Sequence, residues 1–284
     1  MTLTLGFSPC PNDTYIFDAL VNGYIDNGGL NVKVVMEDVQ TLNELAIAGK
    51  IDVTKISYGT LPLVLNDYVL LNSGGALGMG VGPLLISKIP LPLPAVKQSV
   101  VAIPGKHTTA HVLFSLAFPE ATNKVFLRYN EIEEFVLSNS GSLDDIKSVK
   151  TGVIIHENRF TYTEKGLISL CDLGSYWENE TGLPIPLGGI VAKRTLKREV
   201  LLQLQELIQV SIAWSDANNR TPGEFIRKHS QEMSEEVMMK HINLYVNNYS
   251  SDLGEQGRAA VRKFIQVHTA INKIPVNLDN IFLH

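Results

Sequence analysis

Short apolar runs that stop at glycine, proline or a polar turn recur through the first ninety residues, and stretches with helical spacing lie between them. Residues 3–8, 30–37, 53–57, 69–71 and 84–87 read as strands, and residues 13–21, 42–48 and 60–65 read as helices. Strand alternating with helix is the pattern of a parallel sheet covered by helices. Thr41 and Glu44 stand in the T-x-x-E relation of a capping box, which predicts a helix start there, and Gly49 ends that helix.

Ile89-Pro-Leu-Pro-Leu-Pro94 cannot continue a central strand, because alternating prolines lack ladder donors, and it is read as a crossing between lobes. Beyond it the alternation resumes. Strands are expected at 99–103, 124–128, 152–155, 167–170 and 189–192, with helices at 109–117, 132–137 and around 176–180. The second run thus echoes the first in element order. From Lys197 the signals are helical only: Leu201, Leu204, Ile208 and Ile212 share one face, Thr221-Pro-Gly-Glu224 starts a new helix, and two more follow at Ser234 and over 255–271. Met238, Met239 and Tyr245 are read as core. These signals predict an α/β chain of two lobes with a cleft between them, the large lobe from 1–89 and 194–284 and the small lobe from 90–193.

Composition narrows the function. The net charge is −5 and no Lys/Arg cluster stands out, so a small-molecule substrate is expected rather than nucleic acid or a membrane surface. A homodimer is left open. No apolar run reaches the roughly 18 to 20 residues of a membrane span. Cys10 and Cys171 match no metal or redox spacing, and Met1 is expected to lead directly into the first strand without a secretory leader, which points to the cytoplasm.

The chemistry is expected at strand ends, where open α/β sheets bind ligands. The apolar run Val153–Ile155 stops at His156-Glu-Asn-Arg159, four adjacent side chains that can ionise or hydrogen-bond. Ser8-Pro-Cys-Pro-Asn12-Asp13-Thr14 joins the first strand to its helix, with Asp13 read as a helix cap. Lys55-Ile56-Ser57 ends another strand. Pro104-Gly-Lys-His-Thr108-Thr109-Ala110-His111 places hydroxyls and backbone N–H groups at a helix start, a setting that favours anions. His107 and His111 are four apart but lack a firm third ligand, so a metal is not expected. The glycine run from Gly74 to Gly82 matches no nucleotide motif and is read as letting backbone approach ligand. No G-x-S-x-G elbow supports a serine triad.

Six blocks carry a resemblance: Ser8-Pro-Cys-Pro-Asn-Asp-Thr14, Asp38-Val-Gln-Thr-Leu-Asn43, Lys55-Ile-Ser-Tyr58, Gly74-Gly-Ala-Leu-Gly-Met-Gly-Val-Gly-Pro83, Thr108-Thr-Ala-His111 and His156-Glu-Asn-Arg-Phe-Thr-Tyr162. Together they resemble the 1,4-dihydroxy-6-naphthoate synthases of the futalosine route to menaquinone. The resemblance implies a class II periplasmic-binding-protein-like fold. It also implies a lyase that splits cyclic dehypoxanthinyl futalosine with neither redox cofactor nor metal. His156 matches the family's proposed general base, a role that suits a side chain titrating near neutral pH. Lys55, Ile56, Ser57, Thr109 and Ala110 match its substrate contacts, and Asn12, Asn43 and Thr108 are added from their place at the expected cleft. His107 departs from the pattern, where an aromatic such as Tyr is expected. The alternatives are chorismate dehydratase of the same route and a solute-binding receptor for a small carboxylate.

Overall fold

The structure is a computed structural model that describes residues 2–230 and 234–284; Met1, expected to lead into the first strand, lies outside the described residues. Its strands are β1 (Thr2–Phe7), β2 (Asn31–Met36), β3 (Val53–Ser57), β4 (Tyr68–Leu70), β5 (Ala76–Gly78), β6 (Leu84–Ser87), β7 (Val100–Ile103), β8 (Lys124–Phe126), β9 (Lys150–Ile154), β10 (Ile168–Asp172) and β11 (Ile185–Lys193). The chain divides into two units, one of Met1–Gly78 with Pro186–His284 and one of Met79–Ile185.

Each unit is built on one sheet. The first has strand order β2-β1-β3-β11-β4, with β5 beside β11, and the second has β8-β7-β9-β6-β10. In both, three strands run parallel and the fourth is antiparallel to the third. That fourth strand, β6 or β11, is the one the chain forms on entering the unit from the other. The echo between the two runs is therefore topological, and the sheets are mixed rather than purely parallel.

The boundaries differ from those expected at 89/90 and 193/194. β6 pairs with β9 and β10, and β11 pairs with β3 and β4, so each belongs to the sheet opposite the one its sequence position suggested. The proline segment lies inside the second unit and opens the 3-10 turn Leu93–Gln98, while the chain crosses within the glycine run. Prolines exclude a central strand but say nothing about which sheet the next strand joins.

Side-chain periodicity accounts for the cores. Leu3, Leu5 and Phe7 alternate along β1 and pack with Leu201, Leu204, Ile208 and Ile212 from one face of the helix Arg198–Asn218. Each such side chain, once buried, contributes roughly 1.5–3 kcal/mol. Met238 joins Tyr15, Ile226 and Ile242 in a second cluster of the same unit. The second unit has its own core of Leu84, Ile86, Ala102, Ile132, Val136, Ile154 and Leu167.

Three helix starts differ from expectation, one of them the helix Glu224–His229, whose N-cap is Gly223, so the Thr221 capping box with Pro222 at the first helical position does not form. The helix Val39–Ile47 is capped by Asp38, whose carboxylate accepts from the amides of Gln40 at 2.9 Å and Thr41 at 3.2 Å, so the Thr41/Glu44 capping box does not form. Thr41 instead donates its hydroxyl to the other Asp38 oxygen at 2.5 Å. An ionised carboxylate is the stronger acceptor and wins the cap. The helix Pro11–Val21 starts at its proline with Cys10 as N-cap, which puts Asp13 inside the first turn.

The glycine run is a packing device within each unit. A Cβ on Gly74 would meet Ile190 Cδ1 at 2.0 Å, and one on Gly82 would meet Gly174 Cα at 2.2 Å. At these two positions the close neighbours are protein atoms of the same unit. Gly82→Ala should therefore cost about 1–3 kcal/mol through overpacking against backbone. Urea denaturation is the measurement, and an unchanged midpoint would refute the packing role.

Candidate active site

In the first unit the strand ends converge on Asp13. Its Oδ2 accepts from the Ser8 amide at 3.2 Å and the Ser8 hydroxyl at 2.7 Å, while Oδ1 accepts from Asn12 Nδ2 at 2.9 Å and lies 3.1 Å from Lys55 Nζ. The Asp13 and Lys55 side chains are 4% and 6% exposed. Lys55 also donates to the Gly74 carbonyl at 2.7 Å, so two of the three donors of its ammonium group serve the protein. Asp13 was expected as a cap and is instead the centre of this buried network. The one signal in the sequence was its five-residue distance from Ser8 across a loop stiffened by two prolines.

The other expected residues of this unit fall into place around that pair. Asn43 Oδ1 accepts from the Ser57 amide at 2.9 Å, which fixes the end of β3. Ile56 is fully buried in the strand, so its side chain belongs to the core. Asn12 is spent in part on Asp13. Lys55 and Ser57 are held by neighbours that sequence had placed beside them only as further contacts.

In the second unit, β9 ends at Ile154 and the chain turns at His156 with φ +58. A side chain with a Cβ in that left-handed region costs roughly 1–2 kcal/mol, a cost that persists only where the surroundings fix the conformation. The His156 ring lies edge-on to Tyr129, with centroids 5.0 Å apart. The following residues are tethers. Asn158 Nδ2 donates to Glu133 Oε2 at 2.7 Å, and Lys165 Nζ pairs with the same oxygen at 2.5 Å. Arg159 donates to the Gly82 carbonyl and lies 3.5 Å from Asp172 Oδ2. Asp172 in turn caps the helix Leu173–Thr181 through its other oxygen, accepting from Gly174 N at 2.8 Å and Ser175 N at 3.0 Å. Sequence left Asn158 and Arg159 without roles, and missed Glu133 and Asp172. An Asp before a helix is a readable cap, whereas a Glu on a short helix reads as a solvated face until its burial is known.

Thr108, Thr109 and Ala110 open the helix Thr109–Ala117 as predicted. Thr108 is its N-cap: the hydroxyl accepts from His111 N at 3.2 Å and donates to the Gly105 carbonyl at 2.9 Å. His107 precedes the helix, so it and His111 do not form a helix-face pair. His111 Nδ1 lies 2.8 Å from the Lys106 carbonyl, which can only accept, and Nε2 lies 3.2 Å from Lys124 Nζ, which as an ammonium can only donate. The ring is therefore the neutral Nδ1–H tautomer. Burial holds its pKa below the ordinary histidine value, with Lys124 adding to the effect.

Two stability measurements follow. Lys55→Met strands the Asp13 carboxylate in a buried site and should cost about 3–5 kcal/mol, with part of that loss recovered on adding Asp13→Asn. Additive losses in urea denaturation would argue against the pair. For His111 the folded pKa lies below the unfolded one, so the unfolded chain takes up the proton first. Stability should then fall as pH drops below about 6.5 and level off once the folded ring also titrates. His111→Asn should flatten that part of a stability–pH curve.

With this geometry in place, the chain can be compared with known proteins. It is 44% identical over 261 residues to the 1,4-dihydroxy-6-naphthoate synthase of Thermus thermophilus, covering 92% of each chain. Against the enzyme of that name from Streptomyces coelicolor it is 40% identical over 281 residues, covering 96% of this chain and 95% of the other. A crystal structure from Archaeoglobus fulgidus superposes with a TM-score of 0.86 at 30% identity, covering 96% of this chain and 98% of that one. The periplasmic aliphatic sulphonate binding protein of Escherichia coli superposes with a TM-score of 0.68 at 12% identity, covering 100% and 92% of the two chains. That likeness assigns the fold, a two-lobed α/β fold of the periplasmic-binding-protein type. No helix among the described residues is long and apolar enough to cross a membrane. The sequence profile of the menaquinone biosynthesis family matches residues 3–270, and the chain belongs to that family.

Proposed function

We propose that this chain is a 1,4-dihydroxy-6-naphthoate synthase, a carbon–carbon lyase that splits cyclic dehypoxanthinyl futalosine, with His156 as general base. The observation that carries the reading is the backbone at His156. A non-glycine residue at φ +58, at the end of a central strand, is held there by side chains that reach three other segments of its unit. Strain of this kind collects where a side chain must be aimed. Relatives named 1,4-dihydroxy-6-naphthoate synthase, at 44% and 40% identity, support formation of that product.

Breaking the sugar-derived part from the ring system needs removal of a proton, and an imidazole is the side chain whose unperturbed pKa suits that task near neutral pH. Lys55 and Ser57 would bind polar groups of the substrate with donors left over from their structural bonds. Thr109 and Ala110 would do so with the first turn of their helix, whose N-terminus favours a carboxylate. Ile56 contributes through backbone, given its buried side chain. Asn12, Asn43 and Thr108 act one step back, holding Asp13, Ser57 and the helix start respectively. No step calls for a metal or redox group, and none is invoked.

The test is incubation of the purified protein with cyclic dehypoxanthinyl futalosine and analysis for the naphthoate product. Binding without turnover would favour a receptor, and conversion of chorismate to an enolpyruvyl benzoate would favour the dehydratase. His156→Ala should lower turnover by ~10²- to 10⁴-fold, the usual contribution of a general base. Near-wild-type turnover in that variant would remove His156 from the role.

A further inference from the structure

The connection between β9 and β10, residues 155–167, carries His156 near its start, and its geometry points to one side chain that no resemblance assigns. We propose that Arg159 is the positioning residue of His156. This rests on the reading of His156 as base, but the conformational claim stands apart from it. Arg159 is three residues beyond His156, and its amide donates to the His156 carbonyl at 3.4 Å, closing the turn. Its guanidinium, 14% exposed, then reaches two fixed points, the Gly82 carbonyl and Asp172 Oδ2.

Both points are rigid for reasons of their own. Asp172 is held by capping the helix Leu173–Thr181 with the oxygen that Arg159 does not use. Gly82 is pressed against Gly174 of the same helix, and the adjacent Pro83 carbonyl accepts from Leu173 N at 2.9 Å. The guanidinium therefore ties the turn at His156 to the start of that helix. Its planar fork carries separated donors to a carbonyl and a carboxylate at once, which the single ammonium of lysine does not reproduce. Glu133 provides a second tether through Asn158 and Lys165, which flank Arg159 in sequence. Neither tether uses a group proposed to touch substrate.

Three variants test the assignment: Arg159→Met, Arg159→Lys, and Asp172→Asn, which keeps a good helix cap while removing the charge that faces Arg159. The chain has seven histidines, so the ring signals can be resolved by NMR and that of His156 assigned by its loss in His156→Ala. In Arg159→Met the His156 signal should move and broaden. Arg159→Lys should move it less, and Asp172→Asn should move it in the same direction. Turnover should fall by about 100-fold in Arg159→Met, the scale of loss for an ångström of misplacement, with KM changed less than about threefold. Arg159→Lys should recover part of kcat. An unmoved His156 signal in folded Arg159→Met and Asp172→Asn overturns the proposal, as does a matched rise in KM without loss of kcat. If His156→Ala keeps its turnover, the base assignment fails while the NMR result still decides whether Arg159 positions the ring.

Discussion

A carboxylate taken out of water must collect donors, and two buried carboxylates, Asp13 and Glu133, together with the partly exposed Asp172, hold the side chains of the candidate site. Asp13 gathers Ser8, Asn12 and Lys55; Glu133 gathers Asn158 and Lys165; Asp172 gathers two helix amides and Arg159. A buried ion pair such as Asp13–Lys55 contributes little net stability, because desolvating both charges offsets most of their attraction. Its value is geometric. It holds the Lys55 ammonium in one direction, with two of its three N–H donors committed to the Gly74 carbonyl and Asp13.

His156 follows the opposite logic. Its backbone conformation is unfavourable in itself, and a glycine there would relieve the strain but remove the imidazole. A strand end that turns sharply while presenting a ring needs support from outside the turn. Arg159 and Asn158 supply it from the residues immediately following. The local disagreement between backbone preference and residue type is the kind found where function constrains a sequence more tightly than folding does.

Much of this was legible before any coordinates. The helices Thr109–Ala117 and Ile132–Leu137 and the strands Val53–Ser57 and Leu84–Ser87 match the sequence expectation residue for residue, because Gly, Pro and polar turns mark their ends. The failures have physical causes. Thr41 lost the helix cap to Asp38 because an ionised acceptor outcompetes a hydroxyl. The unit boundaries were displaced because apolar runs such as 84–87 do not state which sheet they pair with. Within the candidate site, polarity marks the strand ends Ser8–Thr14, Lys55–Ser57 and His156–Arg159, but it gives Asp13, Glu133 and Asp172 no roles. Burial of a charged side chain depends on what packs over it, and no local pattern in sequence records that.

The two strand-end sites also differ in how they are assembled. The Asp13 network is largely local: Ser8, Asn12 and Asp13 lie within one loop and the first turn of its helix, and only Lys55 and Gly74 come from farther along the chain. The support of His156 combines one distant contact, Arg159 with Gly82, and nearer ones, Asn158 with Glu133 and Arg159 with Asp172. Contacts of high sequence separation form only once the loop-closure entropy between them has been offset by the rest of the sheet. Both sites depend on several elements: the Asp13 network needs β1, its helix, β3 and the segment at Gly74, and the turn at His156 needs β6, β9, β10 and the helix Leu173–Thr181.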